Sequence, residues 1–91
     1  MTADDDKVLR LRSEELAWRQ VGEEIVALDI RANSYLSINH SGIVLWEMLV
    51  EGSSKATMTA RIVSDFGVDQ ARAGSDVEEF VAMLAGRGLL R

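Results

Sequence analysis

Ninety-one residues, 47% hydrophobic and 27% charged, are enough for one small core and exclude a disordered chain. Fifteen acids against ten bases leave a net charge of −5, which argues against a surface built to grip nucleic acid or anionic lipid. The absence of cysteine excludes a disulfide framework and thiolate chemistry, and no apolar run approaches the ~18–20 residues of a bilayer span.

The chain opens on Met1-Thr2-Ala3-Asp4-Asp5-Asp6. Three acids stand where a secretory signal needs a basic start and an apolar stretch, so a cytoplasmic protein is expected. Residues 1–7 read as a disordered tail, with the Asp run as a solvated segment rather than a cation site. A single domain is expected over 8–91.

Strand signals dominate up to residue 38. Val8-Leu9-Arg10-Leu11 alternates. Leu16-Ala17-Trp18-Arg19-Gln20-Val21 runs into the polar turn Gly22-Glu23-Glu24, followed by Ile25-Val26-Ala27-Leu28-Asp29-Ile30. After Arg31-Ala32-Asn33-Ser34 comes Tyr35-Leu36-Ser37-Ile38. Short runs split by Gly- and Asn-bearing turns predict an antiparallel meander. A period of two groups Val26, Leu28 and Ile30 on one face, expected to be buried, and Leu36 with Ile38 on the buried face of the next strand.

The period then changes. Asn39 is expected to cap a helix over 40–50, with Ile43, Trp46, Leu49 and Val50 on its apolar side and Gly52 behind it. Ser53 or Ser54 caps a second helix, whose stripe is Met58, Ile62 and Phe66 with Val63 beside it, closed by Gly67. Asp69 caps a third, carrying Ala71, Val77, Phe80, Val81 and Leu84. Gly74 interrupts this helix, and Ser75 with Glu78 offers an alternative start. Leu89-Leu90 reads as core, as do Trp18 and Trp46. Strands followed by helices predict an α+β fold: a three-stranded antiparallel sheet, then three helices, resembling a winged helix-turn-helix.

Catalytic material is scarce. There is one histidine, His40, expected in a helix's first turn in an exposed or locally hydrogen-bonded role. The phosphate-loop, dinucleotide and nucleophile-elbow signatures are all missing from the sequence. Composition points to binding rather than catalysis, with no catalytic residue, no metal and no cofactor expected.

The run Trp18 to Asp29, then Tyr35-Leu36-Ser37-Ile38-Asn39, then Gly42-Ile43-Val44-Leu45-Trp46-Glu47-Met48-Leu49 leading into Gly52, resembles the PqqD-like family, the leader-recognition elements of ribosomally made, post-translationally modified peptide pathways. Phe66-Gly67-Val68-Asp69, Asp76-Val77-Glu78-Glu79-Phe80-Val81 and Gly88-Leu89-Leu90 extend the likeness over roughly 8–90. Ile38 stands where leucine is usual, and Met58-Thr59 replaces a commoner acidic-hydrophobic helix start.

The resemblance implies a non-catalytic domain whose third strand is a free edge. The leader of a precursor peptide adds to it as a fourth strand, in a groove against the third helix, for delivery to a radical-SAM protein, leader peptidase or cyclase. Tyr35, Leu36, Ser37 and Ile38 are the expected strand residues. Asp76, Glu79, Met83 and Arg87 share a flank of the third helix at steps of three and four, and Phe80 adjoins them. On this reading Met83 gives an adaptable apolar contact, Asp76 and Glu79 meet basic leader residues, and Arg87 meets an acidic one. Competing readings make Tyr35 a packing residue only, turn Leu36 and Ile38 to the core, and give Asp76 and Glu79 to the helix dipole. The alternative functions are a winged-helix nucleic-acid-binding or regulatory protein, and a structural accessory subunit.

Overall fold

In the computed structural model, which describes residues 6–91, two small sheets and three helices enclose one core. Most of the expected tail over 1–7, with Asp4 and Asp5, lies outside the described residues. In chain order the elements are β1 (Val8–Leu9), β2 (Leu16–Val21), β3 (Glu24–Asp29), β4 (Ser34–Asn39), α1 (Ser41–Glu51), β5 (Ser53–Ser54), α2 (Lys55–Phe66) and α3 (Gln70–Gly86). The main sheet is the antiparallel meander β2-β3-β4, followed by the three helices, a winged-helix-like α+β arrangement. A second, two-stranded sheet pairs β1 with β5.

Each boundary has a local cause. Between β2 and β3 the loop is Gly22-Glu23, with Gly22 at φ +62, as a hairpin turn with glycine at its first central position requires. Ser54 caps α2 by accepting the Thr57 N–H at 3.2 Å, and Asp69 caps α3 by accepting the Arg72 N–H at 2.8 Å. Gly67, in the left-handed region, closes α2. Gly74 does not break α3, so Ser75 starts no separate helix; the Asp69 cap and packing on α2 hold the turn through the glycine. A methyl group at Gly74 would meet only Thr59 Cγ2, at 4.0 Å. Gly74→Ala is therefore expected to raise unfolding stability by about 1 kcal/mol, read from the urea midpoint.

The first helix differs from expectation at its start. Asn39 ends β4 rather than capping, and the N-cap position falls to His40 at φ +53, with no side-chain cap bond. Asn39 is the last residue in register with β3, across from Glu24, so the chain is still extended there. His40 is exposed, and its carbonyl accepts the Ile43 N–H.

The larger correction concerns β3. Ile25, Ala27 and Asp29 face the core, whereas Val26, Leu28 and Ile30 are 37%, 43% and 53% exposed. A one-residue change of phase turns every side chain over, and three tertiary features set this phase. Ile25 and Ala27 pair across from Ile38 and Leu36, both buried. Trp18, across from Ala27, meets buried Trp46 edge-on at 5.9 Å, and the small Ala27 leaves that volume to the indoles. Asp29 receives Arg12 Nη2 at 2.8 Å and the Ala32 N–H at 3.2 Å, which gives a buried carboxylate its partners and shapes the turn to β4.

Arg12 belongs to a segment threaded through the core. Leu11 donates its N–H to the Leu49 carbonyl, Arg12 to Leu89, and Arg91 returns one to Arg10. Leu89 is fully buried and Leu90 bridges to Leu11, so the chain's last turn folds back as expected. Four other core assignments shift. Trp18 is 39% exposed at the sheet rim, Val50 is exposed at the end of α1, Phe66 is 46% exposed at the end of α2, and Ala73 rather than Ala71 faces the core of α3. Phe66, the last residue of α2, lines the hollow at the β2–β3 hairpin end together with Ile43 and Val44 instead of entering the core.

Candidate functional site

Both β2 and β4 are edges of the meander. In a two-residue hairpin the residues flanking the loop, Val21 and Glu24, exchange both backbone bonds, and bonded and non-bonded pairs then alternate. That alternation directs the backbone of Glu24, Val26 and Leu28 to β2, and of Ile25, Ala27 and Asp29 to β4. On β4 the ladder therefore uses Ser34, Leu36 and Ile38, their cross-strand partners. The N–H and C=O groups of Tyr35, Ser37 and Asn39 point out of the sheet along the free edge.

Beside this edge runs a groove of about 280 Å³, lined by Ser37, Ile38 and Asn39 of β4, Ser41, Gly42 and Leu45 of α1, and Asp76, Phe80 and Met83 of α3. Asp76 is the one charged residue among them. Larger hollows lie between α2 and α3 and at the β2–β3 hairpin end. The small groove is the better candidate despite its size, because it runs along the outward backbone groups of Ser37 and Asn39 on β4, and an extended chain needs a rail of hydrogen bonds rather than a deep cavity.

Five of the sequence-predicted residues meet here: Ser37, Ile38, Asp76, Phe80 and Met83. The other four do not line the groove. Leu36 is buried beneath β4, Tyr35 stands 73% exposed on the opposite face of the sheet, and Glu79 and Arg87 lie exposed on α3. Alternation sends the side chains of Tyr35 and Ser37 to one face and of Leu36 and Ile38 to the other, and it is position along β4 that divides them, because Ser37 and Ile38, nearer the start of α1, line the groove.

Asn39, Ser41, Gly42 and Leu45 were not foreseen as groove residues. The available signal was the short step from strand end to helix start, which brings the first turn of α1 against the edge. Gly42 has a packing reason to be glycine, because a Cβ there would lie 2.8 Å from Ile38 Cγ2 and 3.4 Å from Phe80 Cε1. Ile38 is buried and cannot yield freely. Gly42→Ala is expected to cost about 1–3 kcal/mol through overpacking and to shift the Phe80 ring, read from the urea midpoint and the aromatic proton shifts.

No metal-holding group of His, Asp and Glu occurs among the described residues, and no helix there is long and apolar enough to cross a membrane.

Residues 24–90 match the family described as Coenzyme PQQ synthesis protein D (PqqD). The chain belongs to the PqqD family. The matched span runs from β3 through Leu90, so the edge strand, the groove and α3 all fall inside it. Among solved structures, TbiB1 in complex with the TbiA(beta) leader peptide is similar with a TM-score of 0.82 at 23% identity, over 90% of this chain and 94% of that one. Lasso peptide synthetase B1 complexed with the leader peptide gives 0.80 at 26% identity, over 91% and 96%. No curated protein matches the chain.

Proposed function

We propose that this PqqD-family chain is a non-catalytic adaptor that captures the leader segment of a ribosomally made precursor peptide and delivers it to a separate modifying enzyme. The leader adds as a strand to β4, bonding the outward backbone groups of Tyr35, Ser37 and Asn39. Its inward side chains enter the groove against Phe80 and Met83, and Asp76 receives a basic residue. Glu79, exposed on α3 between Asp76 and Phe80, meets a basic leader residue, and Arg87, past Met83, meets an acidic one. The observation that carries this reading is the free β4 edge running beside the groove. Both structural relatives named above are complexes with leader peptides, which supports it.

The magnitudes agree with a shared task. At about 0.5–1.5 kcal/mol per backbone bond, the edge supplies only part of the roughly 8 kcal/mol that micromolar binding needs. Side chains in the groove must supply the rest and all sequence preference. A radical-SAM protein, leader peptidase or cyclase is the proposed recipient, acting on a lasso peptide or quinone cofactor precursor. The cytoplasm is the proposed location, where precursors are translated and a cysteine-free chain is at no disadvantage.

The test is a titration of the ¹⁵N-labelled domain with the leader of a precursor encoded beside this chain. Amide shifts are expected at Tyr35, Ser37 and Asn39, larger than those at Leu36 and Ile38, together with residues 76–83. Duplex DNA is expected to give none, in keeping with the net charge of −5. Shifts with DNA and none with leader would overturn the reading.

A further inference from the structure

At the hairpin end of the sheet lies a hollow of about 620 Å³ that the added strand does not occupy. Its apolar part is Val21 of β2, Ile43 and Val44 of α1, and Phe66 at the end of α2. Phe66 and Val21 are exposed and Ile43 and Val44 half-buried, so an apolar surface here meets water in the isolated chain. The volume is that of a small-ligand pocket, with room for a large side chain and the backbone that carries it. The exposed Glu23 and Glu24 also line it, and neither has an ion pair among the described residues. No lysine or arginine is among the lining residues. Apolar walls beside two uncompensated carboxylates select an apolar group with a positive charge next to it.

We propose that this hollow is a second anchor for the precursor peptide. It takes a large apolar side chain with an arginine or lysine beside it, from the residues just upstream of the strand added to β4. This rests on the leader-binding reading. Two observations choose the occupant. Asn39 lines both the groove and the hollow, so the two are continuous at the end of β4. Antiparallel pairing is the pattern throughout this meander and the more stable one per residue, and it runs the leader opposite to β4. The residues preceding the leader strand therefore emerge at Asn39, where the hollow begins. Charge argues against a second copy as the occupant, because a chain of net charge −5 would set its own acids against Glu23 and Glu24.

A second anchor supplies what the edge lacks. The outward backbone groups of β4 accept any extended chain, and the groove beside them takes few side chains, so a contact beyond the strand adds selectivity. The two segments belong to one peptide. Once the strand is seated, the upstream residues are held beside the hollow at high local concentration, and even a weak contact there raises the affinity of the whole. The carboxylates are exposed, so this contribution shrinks as salt rises, while the backbone bonds to β4 are little affected.

The test uses the full chain, the leader of the neighbouring precursor labelled with fluorescein at its C-terminus, and a series of truncations from the leader's N-terminus. The shortest peptide that still shifts the Ser37 amide is the strand segment alone. Wild-type chain is expected to bind the whole leader roughly tenfold or more tightly than that segment. Phe66→Ser, and separately Glu23→Lys combined with Glu24→Lys, change exposed positions only. Each is expected to weaken binding of the whole leader about fivefold or more and of the strand segment less than about twofold. Equal affinity of wild-type chain for both peptides would overturn the proposal, as would variants that change neither peptide or both alike. A wild-type dimer in sedimentation that Phe66→Ser dissolves would assign the hollow to a second copy and also overturn it. Failure of the leader-binding reading looks different: neither peptide would bind wild-type chain.

Discussion

A domain carrying Ser37→Pro is expected to fold normally and to lose leader affinity by roughly 30- to 150-fold, the equivalent of about 2–3 kcal/mol. Proline has no N–H, and the backbone of Ser37 occupies the middle of the outward-facing row on β4. The β3 ladder belongs to Leu36 and Ile38, so the sheet loses no bond of its own, and edge strands are where proline is tolerated. Leu36, preceding the new proline, already has the extended conformation that proline demands of its neighbour. What is lost is the central bond to the incoming strand and, because the ring intrudes, the alignment of one or two flanking bonds at about 1 kcal/mol each. Ser37→Ala keeps the donor and should bind within a fewfold of wild type. Fluorescence anisotropy with a labelled leader measures both. A folded Ser37→Pro domain with undiminished affinity would mean that the leader does not use this edge.

The largest effect on stability is expected at Arg12. The residue is 7% exposed, and its guanidinium spans from the threaded N-terminal segment to Asp29 at the end of β3. Arg12→Met keeps the stem's apolar volume and leaves a buried carboxylate without its cation, which should cost about 3–5 kcal/mol. For a chain of this length that is a large share of the roughly 5–13 kcal/mol available, so the urea midpoint should fall steeply. Adding Asp29→Leu removes the stranded charge and should recover most of the loss, because a buried pair replaced whole is far cheaper than a pair broken.

Acid provides an independent handle on the same contact. The hydrogen bond from Arg12 holds the Asp29 carboxyl below its ordinary range; burial opposes this, and the Ala32 N–H adds to it. A depressed carboxyl stabilises the fold at pH values above its unfolded value, and that contribution is lost as pH falls through the folded one. Wild-type stability should therefore decline below about pH 4. In Arg12→Met the depression is removed, and this part of the acid sensitivity should vanish with it. Parallel urea titrations at neutral and acid pH separate the two cases.

Much of the architecture was legible in the residue order because its causes are local. Gly22 sets the hairpin, Ser54 and Asp69 each accept a capping bond from the N–H three residues on, and Met58 with Ile62 and Val77 with Val81 and Leu84 follow helical spacing onto the core. The meander, the three helices and the resemblance to the PqqD family all follow from such signals; of the α3 flank expected beside the edge, Asp76 and Met83 line the groove and Glu79 and Arg87 do not.

The face of β3 was not legible. Val26, Leu28 and Ile30 are at least as apolar as Ile25, Ala27 and Asp29, so alternation by itself favours the wrong side. The choice belongs to contacts made far along the chain: Arg12 reaching Asp29, Trp46 settling against Trp18, and Leu36 and Ile38 pairing inward. The same choice leaves Val26, Leu28 and Ile30 exposed on the open face of the sheet. Sequence periodicity determines that a strand has two faces and how far apart they are in composition. Which face is buried is a property of the assembled core, because only packing partners and the satisfaction of a buried charge distinguish two nearly equal alternatives.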